Sequence, residues 1–327
     1  YWVSENIFET FTRNRALLDV ANPCVGLQTS DNARFLRLWF EVGYNRIGLG
    51  CENAALAARS QKKWFPLLKG GTARKWYGNL EYTINWENNG QEVLAYAAKL
   101  YGSPTRTIKN IKHYFKENIT WGRIISTPTF RYTPAGAISE TAGCCVFFDN
   151  KLDTFTTLGL MNSCILSTFV NVLNPSLCCQ SGDIAKIPYK DFSDTTKKVV
   201  SQLIQQSISI SKQDWDSHET SWDFQVNELL SIDSATYEEN MAYEDEKHFE
   251  ETGEHLSPSP SAPQLGSLEW RMEQYKQKWE RKFMQLHKNE EELNRQFIDI
   301  YGLQDELTPD VPLDEITILQ QGEISIE

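Results

Sequence analysis

The chain has 327 residues, of which 40% are hydrophobic and 23% are charged, and its net charge is −12. Its ten Trp, thirteen Tyr and sixteen Phe exclude a wholly disordered chain, because so much aromatic surface must be buried or bound. No apolar run reaches the roughly 18 residues of a membrane helix and no secretory signal opens the sequence, so we expect a cytoplasmic protein without membrane contact. The length allows about two domains, and because the first residue is Tyr1 we expect a piece of a longer protein.

The predicted elements mix helices and strands without a regular βαβ rhythm, which favours an α+β, or irregular α/β, fold with mixed sheets. The alternation of Tyr82, Ile84 and Trp86 with polar residues, for example, is typical of a half-buried strand. In chain order, the patterns predict a helix over 1–20, a loop over 22–31, a helix over 33–42, turns at Gly70-Gly71 and Gly78-Asn79, a strand over 82–86, a helix over 92–100, strands over 119–126, 130–132 and 145–149, a helix over 158–173, a strand over 182–188 and a helix over 195–207.

The last third of the chain combines an acidic segment with an apolar repeat. Eight acidic residues and a Ser-Pro repeat within 237–263 predict a mobile linker, because charge repulsion and proline oppose a packed core. Apolar residues then recur three, four or seven positions apart between Leu268 and Phe297, which predicts an amphipathic helix of about 35 residues, roughly 50 Å long. We divide the chain accordingly into a helical opening segment (1–60), a mixed-sheet domain (61–235), an acidic, Pro/Ser-rich linker (236–264) and a helical carboxy-terminal region (265–327).

The net charge conceals a strong asymmetry between the two parts of the chain. Residues 1–200 hold 23 Lys and Arg against 16 Asp and Glu, a balance of +7, whereas residues 201–327 hold 9 against 28, a balance of −19. A mildly basic body followed by an acidic tail is compatible with a polyanionic partner for the first part only. The negative net charge of the whole chain therefore does not exclude a nucleic acid as the partner.

Basic and aromatic residues cluster around a Gly-Gly pair. Six basic residues lie between Arg59 and Lys75, and no acidic residue occurs from Asn53 to Leu80. Lys and Arg can neutralise phosphates, and adjacent glycines let backbone N–H groups approach them. A solvated basic loop between core strands explains the same composition equally well. A nucleotide-hydrolysing P-loop is excluded because the motif GxxxxGK[ST] is absent.

A second basic stretch follows, comprising Lys99, Arg106, Lys109, Lys112 and Lys116. On a helix the last three would share one face, which suits contacts to a nucleic-acid backbone. A plain solvated face is an equally good interpretation.

No catalytic or metal site is predicted. The seven cysteines include no CxxC pair and the five histidines form neither HExxH nor a triad pattern. We expect reduced core thiols and no bound metal. The carboxylates around Trp215 and Trp222 have packed aromatic neighbours, so we interpret them as structural.

One long string in the sequence carries a family resemblance. It reads Lys63-Trp64-Phe65-Pro66, Lys69-Gly70-Gly71, Arg74-Lys75-Trp76-Tyr77-Gly78-Asn79, Tyr82, Asn85-Trp86-Glu87-Asn88 and Gly90. The string resembles the carboxy-terminal half of PglX-type adenine-specific DNA methyltransferases of BREX phage-defence systems, which are related to fused restriction–modification methylases. Further stretches agree in the same order, with gaps, over 26–303. The adjacent cysteines at 144–145 and 178–179 depart from that pattern, in a way that concerns packing.

The resemblance implies the DNA-reading part of such an enzyme, without its catalytic part. The family's glycine-rich S-adenosylmethionine motif and its Asn-Pro-Pro-Tyr motif are both missing, since Asn174-Pro175 is followed by Ser176-Leu177. The resemblance therefore implies an upstream methyltransferase domain that binds S-adenosylmethionine outside this segment. It makes 61–235 a target-recognition domain that binds double-stranded DNA, and other defence-system proteins are further expected partners.

Within that interpretation, two groups of residues are expected to contact DNA. The phosphate group is Lys62, Lys63, Lys69, Arg74 and Lys75, with Gly70 and Gly71 admitting the backbone. The groove or base-edge group is Trp76, Tyr77, Asn79, Arg123 and Arg131, because arginine and asparagine suit guanine and adenine edges. Two other classes remain open, namely an interaction scaffold of the defence complex without direct DNA contact and a self-contained nuclease. The nuclease would need a carboxylate cluster that the sequence does not offer.

Overall fold

The computed structural model describes residues 3–124, 128–174, 176, 178–256 and 266–318. Within these residues, helices and strands alternate irregularly and form the predicted α+β fold. The helices are α1 Glu5–Arg13, α2 Asn32–Phe35, α3 Ala54–Ser60, α4 Glu87–Tyr101, α5 Lys151–Asn162, α6 Cys164–Leu173, α7 Ser181–Ile184, α8 Asp194–Asp216, α9 Glu228–Ser231, α10 Ser234–Thr252 and α11 Leu268–Tyr301. The strands are β1 Arg15–Ala16, β2 Asn22–Cys24, β3 Leu36–Leu38, β4 Trp64–Leu68, β5 Tyr82–Asn85, β6 Asn118–Gly122, β7 Phe130–Thr133, β8 Ile138–Ser139, β9 Gly143–Phe147 and β10 Pro188–Tyr189.

Two four-stranded sheets organise the described part of the chain. One has the order β2-β9-β6-β7 with antiparallel neighbours, and the other has the order β3-β5-β4-β8, in which β4 and β8 are parallel. The chain passes from the second sheet to the first within three residues, 140–142, between β8 and β9. The connection therefore joins the edge strand β8 of one sheet to the inner strand β9 of the other.

The helices pack mainly on the first sheet and form the larger core with it. Helix α8 packs on α5 and on α11, and α11 also contacts α5 and α6. Trp279, Leu286, Leu293 and Phe297 of α11 are all buried in this core. The amphipathic helix predicted from residue 268 is thus confirmed, and its apolar face packs on the body of the protein.

Several predicted elements are confirmed with small shifts of their ends. Strand β5 and the regular part of α4 lie where they are predicted, and α8 contains the predicted helix over 195–207 but extends to Asp216. The predicted turns have left-handed backbone, with φ of +95° and +103° at Gly70 and Gly71. The end of the strand predicted over 119–126 lies outside the described residues.

The helix predicted over 33–42 is wrong. The side chain of Asp31 accepts a hydrogen bond from the backbone N–H of Arg34 and caps a helix that ends at Phe35. The chain then forms β3, which pairs with β5. The pairing with a central strand overrides a local helical pattern, because it satisfies the backbone of both strands.

The helix predicted over 158–173 is two helices that meet at a bend of 73°. Helix α6 begins anew at Cys164, whose backbone N–H donates to Oδ1 of Asn294 on α11 at 2.9 Å. Asn294, which accepts from the backbone N–H at the start of the second helix, therefore comes from a distant part of the chain. Among the described residues, no single helix has the length and apolar composition to cross a membrane, and only this bent pair passes that test when its two halves are combined.

Three smaller predictions also need correction. The predicted helix over 1–20 ends at Arg13 and is followed by β1, and the predicted loop over 22–31 contains β2. The strand predicted over 182–188 begins as α7 and becomes a strand only at Pro188, the first residue of β10. Helix α7 is capped by Asp183, which accepts from the backbone N–H of Gln180 at 3.1 Å. The second basic stretch has short 3₁₀ turns at Pro104–Arg106 and Ile111–His113 in place of a helix face.

The mobile linker predicted over 236–264 is wrong for its first part. Residues Ser234–Thr252 form α10, which packs on α11, and the amide of buried Asn240 donates to Gln274 at 3.0 Å. Solvated acidic residues on the outer side of a helix do not repel its inner side, so charge alone does not prevent packing. Residues 257–265, which include the Ser-Pro repeat, lie outside the described residues. The division into four segments stays a prediction.

Candidate nucleic-acid interface

A shallow cleft of about 360 Å³ opens where the two sheets meet. Its walls come from strand ends and from the short connection between the sheets. Residues 69–71 follow β4, residues 122–124 follow β6, residues 140–142 join β8 to β9, and Gln28 lies beyond β2. The cleft therefore gathers residues that are far apart in sequence, on loops held by strands.

The segment 69–79, which we call the glycine loop, has a shape that depends on glycine. Gly71 has a φ of +103°, and a Cβ atom there would lie 2.6 Å from Nδ2 of Asn79. That amide donates to the carbonyl of Thr72 at 2.9 Å and closes the loop. Gly71 is exposed, and its own N–H has no hydrogen-bond partner among the described residues. The loop thus presents an unused backbone donor at the cleft, as the Gly-Gly pair predicts.

Lys69 and Arg123 are the two cationic residues that line the cleft. The ammonium of Lys69 lies 4.6 Å from the ring centroid of Tyr82. The backbone of Arg123 is fixed by a hydrogen bond from its N–H to the carbonyl of Ala142 at 3.0 Å. Neither cation has a carboxylate within ion-pair distance in the part of the chain that the structure describes. Both positive charges are available to an anion.

Sequence reasoning missed two polar residues of the same cleft, Gln28 and Glu140. Glu140 is buried, and its Oε2 accepts from the backbone N–H of Ala142 at 3.0 Å. Burial raises the pKa of this carboxyl, and the Ala142 hydrogen bond and the charge of Lys69 oppose the rise. Gln28 is exposed at the rim. Gln28 belongs to a stretch that carries the family resemblance, but the sequence indicates a role in the cleft for neither residue, because the cleft exists only after the sheets have assembled.

Arg74 is occupied within the protein. Its guanidinium donates to the fully buried carboxylate of Asp214 and, at 2.9 Å, to the carbonyl of Tyr77. It also lies 5.3 Å from the ring centroid of Trp215. Arg74 therefore fastens the glycine loop to the end of α8, and the carboxylates around Trp215 have the structural role expected from the sequence.

Lys75 and Trp76 are buried against α11. The ammonium of Lys75 donates to Oε2 of Glu290 at 2.6 Å, and the indole N–H of Trp76 donates to Oε1 of the same residue at 2.7 Å. Trp76 is 1% exposed and Lys75 is 8% exposed. Neither side chain can reach a duplex from this position, so the phosphate and base contacts expected of them are corrected to a role in holding the loop.

Arg131 is likewise buried, at 2% exposure, beneath the glycine loop. Its guanidinium donates to the carbonyls of Gly70 at 3.0 Å and of Arg74 at 3.2 Å. Burial, followed by repulsion from Arg74, lowers its pKa to about 10. The groove contact expected of Arg131 is corrected in the same way, since the side chain ties down loop carbonyls.

The remaining expected contacts lie outside the cleft. Tyr77 is buried and lines a second cleft with Lys212, whose ammonium lies 5.1 Å from the ring centroid. Burial raises the pKa of Tyr77 to about 12, and Lys212 opposes the rise. Lys62 donates to the carbonyl of Asn45, and Lys63 lies 3.8 Å from Glu87. Of the twelve expected residues, only Lys69, Gly70, Gly71 and Arg123 line the cleft together.

A strip of exposed cations begins beside Gln28 and leads away from the cleft. Arg106, Lys109, Lys112 and Lys116 are exposed, and none has an ion-pair partner among the described residues. The strip adjoins the rim because the N–H of Gln28 donates to the carbonyl of Thr107 at 2.8 Å. We call these four residues the basic strip. It extends the positive surface beyond the cleft.

Comparison with known proteins gives two relatives. The chain is 33% identical over 316 residues to the adenine-specific methyltransferase PglX of Lacticaseibacillus casei (strain Zhang). The aligned residues cover 95% of this chain and 23% of that protein. It is 34% identical over 249 residues to the adenine-specific methyltransferase BrxX of Escherichia coli O9:H4 (strain HS). Here the aligned residues cover 74% of this chain and 18% of that protein. The chain matches a segment of PglX-type proteins. No family model matches it.

The PglX-type resemblance found in the sequence is thereby confirmed, and its extent is now defined. The chain spans about a fifth of the length of the relatives it matches. Both PglX-type relatives are named for adenine-specific methylation. Asn174 holds a local turn, because its Nδ2 donates to the carbonyl of Cys178 at 3.0 Å and to Asp183 at 2.9 Å. The described residues contain no group of three or more His, Cys, Asp or Glu side chains that could hold a metal ion.

Proposed function

We propose that this chain recognises a target sequence in duplex DNA for an adenine-specific methyltransferase of a BREX phage-defence or restriction–modification system. The observation that carries the proposal is the cleft that Lys69, Gly71 and Arg123 line together. The S-adenosylmethionine-dependent step belongs to an upstream catalytic domain, which this segment would contact in the cytoplasm and supply with one adenine. Other proteins of the defence system are further partners.

The chemistry of the cleft suits a nucleic-acid backbone. Two unpaired cations and a backbone donor converge on one opening, and this combination binds phosphate oxygens without regard to sequence. The buried residues Arg74, Lys75 and Arg131 hold the loop that presents them. Fixed geometry lowers the entropy that binding costs, so the interior charges support the contact indirectly.

A charge-removal experiment tests the proposal directly. The double variant K69A/R123A should lose affinity for a duplex and should flatten the slope of log K against log salt by about 1.8, because each lost phosphate contact removes about 0.9. Binding is measured by fluorescence anisotropy with a labelled duplex, at salt concentrations from about 50 to about 200 mM.

The matched control removes two exposed lysines from α11 instead. K276A/K288A changes the net charge by the same amount, at positions without ion-pair partners among the described residues. We expect its slope to equal that of the wild type. Equal slopes for all three proteins would exclude the cleft as the contact surface, and absence of duplex binding at low salt would overturn the proposal in favour of an interaction scaffold.

A further inference from the structure

Gln28 occupies the point between the two positive surfaces of the molecule. On one side lies the cleft with Lys69 and Arg123, whose rim Gln28 forms. On the other side lies the basic strip, which begins at Arg106, next to the residue whose carbonyl accepts from the N–H of Gln28. A polar, uncharged side chain between two phosphate-binding surfaces faces the space that a groove would occupy.

The backbone around Gln28 is fixed more firmly than in an ordinary loop. The preceding residue, Leu27, donates to the carbonyl of Ser139 at 3.0 Å and accepts from the N–H of Thr141 at 2.8 Å. At Gly26, a Cβ atom would lie 1.7 Å from the carbonyl oxygen of Ser139, so the two segments are in direct contact. The Gln28 backbone is therefore held rigidly at the junction of the two sheets.

The side chain of Gln28 contrasts with that rigid backbone. It is exposed, and its amide group makes no hydrogen bond within the described residues. Direct base readout requires a side-chain amide on a rigid backbone, because the amide must be held in position while its donor and acceptor stay free to bond a base.

We propose that Gln28 is a specificity-determining residue, which reads the major-groove edge of an adenine while the cleft and the basic strip hold the flanking phosphates. This inference rests on the proposed function. The glutamine amide donates to N7 and accepts from N6 of adenine, a bidentate pair that the other bases cannot match. Discrimination of one base pair by such a contact amounts to about 5- to 150-fold.

Selection of bound duplexes from a randomised library measures this discrimination and assumes no particular target sequence. The wild-type chain should enrich a motif that contains an A·T pair. Q28A should lose about 5- to 150-fold preference at that one position and keep the rest of the motif. Q28E should shift the preference toward cytosine, since a carboxylate accepts from its N4 amino group. A purely structural role of Gln28 would not change one base preference in this way.

Q205A is the matched control, because Gln205 is exposed on α8 and has no hydrogen-bond partner among the described residues. It should select the wild-type motif. Thermal unfolding of each variant identifies any loss of fold. If Q28A selects the wild-type motif, the role of Gln28 is refuted and the proposed function stands. If the wild-type chain retains no DNA, or retains DNA without any motif, the proposed function itself is refuted.

Discussion

Glu290 is the residue that connects the glycine loop to the carboxy-terminal helix. One of its carboxylate oxygens accepts from Lys75 and the other from Trp76, and its side chain is 2% exposed. A buried carboxylate with two donors is stable only while both remain, since an unpaired charge in the interior is costly. Removing one partner therefore costs more than the pair itself contributes.

We expect E290A to lower the free energy of unfolding by about 3–5 kcal/mol, because it leaves the buried Lys75 ammonium without a counter-charge. E290Q should lie in between, since its amide oxygen can still accept one hydrogen bond. Urea unfolding followed by tryptophan fluorescence measures both. E280A, at an exposed position of the same helix, should stay within about 0.5 kcal/mol of the wild type. A similarly small effect of E290A would contradict the assigned role.

Sequence reasoning found part of this site and misassigned part of it for a definable reason. The composition around the Gly-Gly pair indicated the turn at Gly70 and Gly71, and of its six basic residues only Lys69 lines the cleft. It could not indicate that Arg74 and Lys75 are neutralised, because their partners Asp214 and Glu290 lie 140 and 215 residues further along the chain. No sequence pattern indicated that Gln28 and Glu140 share a cleft. Local composition therefore predicts the charge but not its burial.

At the scale of elements, the decisive feature is the close contact of the two sheets. A Cβ atom at Gly26 would lie 1.7 Å from the carbonyl oxygen of Ser139, and one at Gly143 would lie 2.4 Å from that of Leu68. Such distances to backbone atoms cannot be relieved by turning a side chain. Glycine at these two positions permits the junction on which the cleft is built.

G26A should therefore destabilise the protein by about 3 kcal/mol or more, because the sheets must separate locally to accept the methyl group. The matched control is G182A in α7, where a Cβ atom would meet nothing within 4 Å. That variant should be neutral or slightly stabilising, since alanine is the better helix former. Thermal unfolding of both variants measures the difference. Equal melting temperatures would show that the junction relaxes more easily than its geometry indicates.

The elements that the sequence misplaced are those decided by contacts between distant segments. The pattern over 33–42 is helical in isolation, yet pairing with β5 makes β3 a strand. The acidic residues of α10 suggest a solvated linker, yet Asn240 packs on α11. By contrast, α11 itself was predicted correctly, because its apolar repeat is long and regular. Contacts with neighbouring elements determine the conformation of short elements, whereas the apolar periodicity of a long element determines its own.

On the scale of the whole molecule, α11 is part of the main core. Its residues Trp279, Leu286, Leu293 and Phe297 are buried at 2% exposure or less among side chains of the first sheet and of other helices. Large-to-small changes at single buried positions of this kind cost about 2–5 kcal/mol. Losing all four together would exceed the total stability of an ordinary domain, which is about 5–15 kcal/mol.

A chain that ends at residue 264 should accordingly fail to fold, with loss of cooperative thermal unfolding and binding of a hydrophobic dye. The full chain, measured under the same conditions, should unfold cooperatively. Circular dichroism and dye fluorescence compare the two. A cooperative transition in the shorter chain would mean that α11 is an independent region.

The attachment of α10 to α11 also determines how its acidic residues act on the cleft. Asn240 meets α11 at Gln274, sixteen positions before Glu290, which is about 24 Å along the helix axis. At physiological ionic strength the screening length is about 8 Å, so the repulsion between the negative helix and an anion in the cleft is largely screened. At 0.01 M the screening length is about 30 Å. Very dilute buffer thus extends the influence of the acidic helix along the molecule, and the proposed binding of an anion in the cleft would be opposed most strongly there.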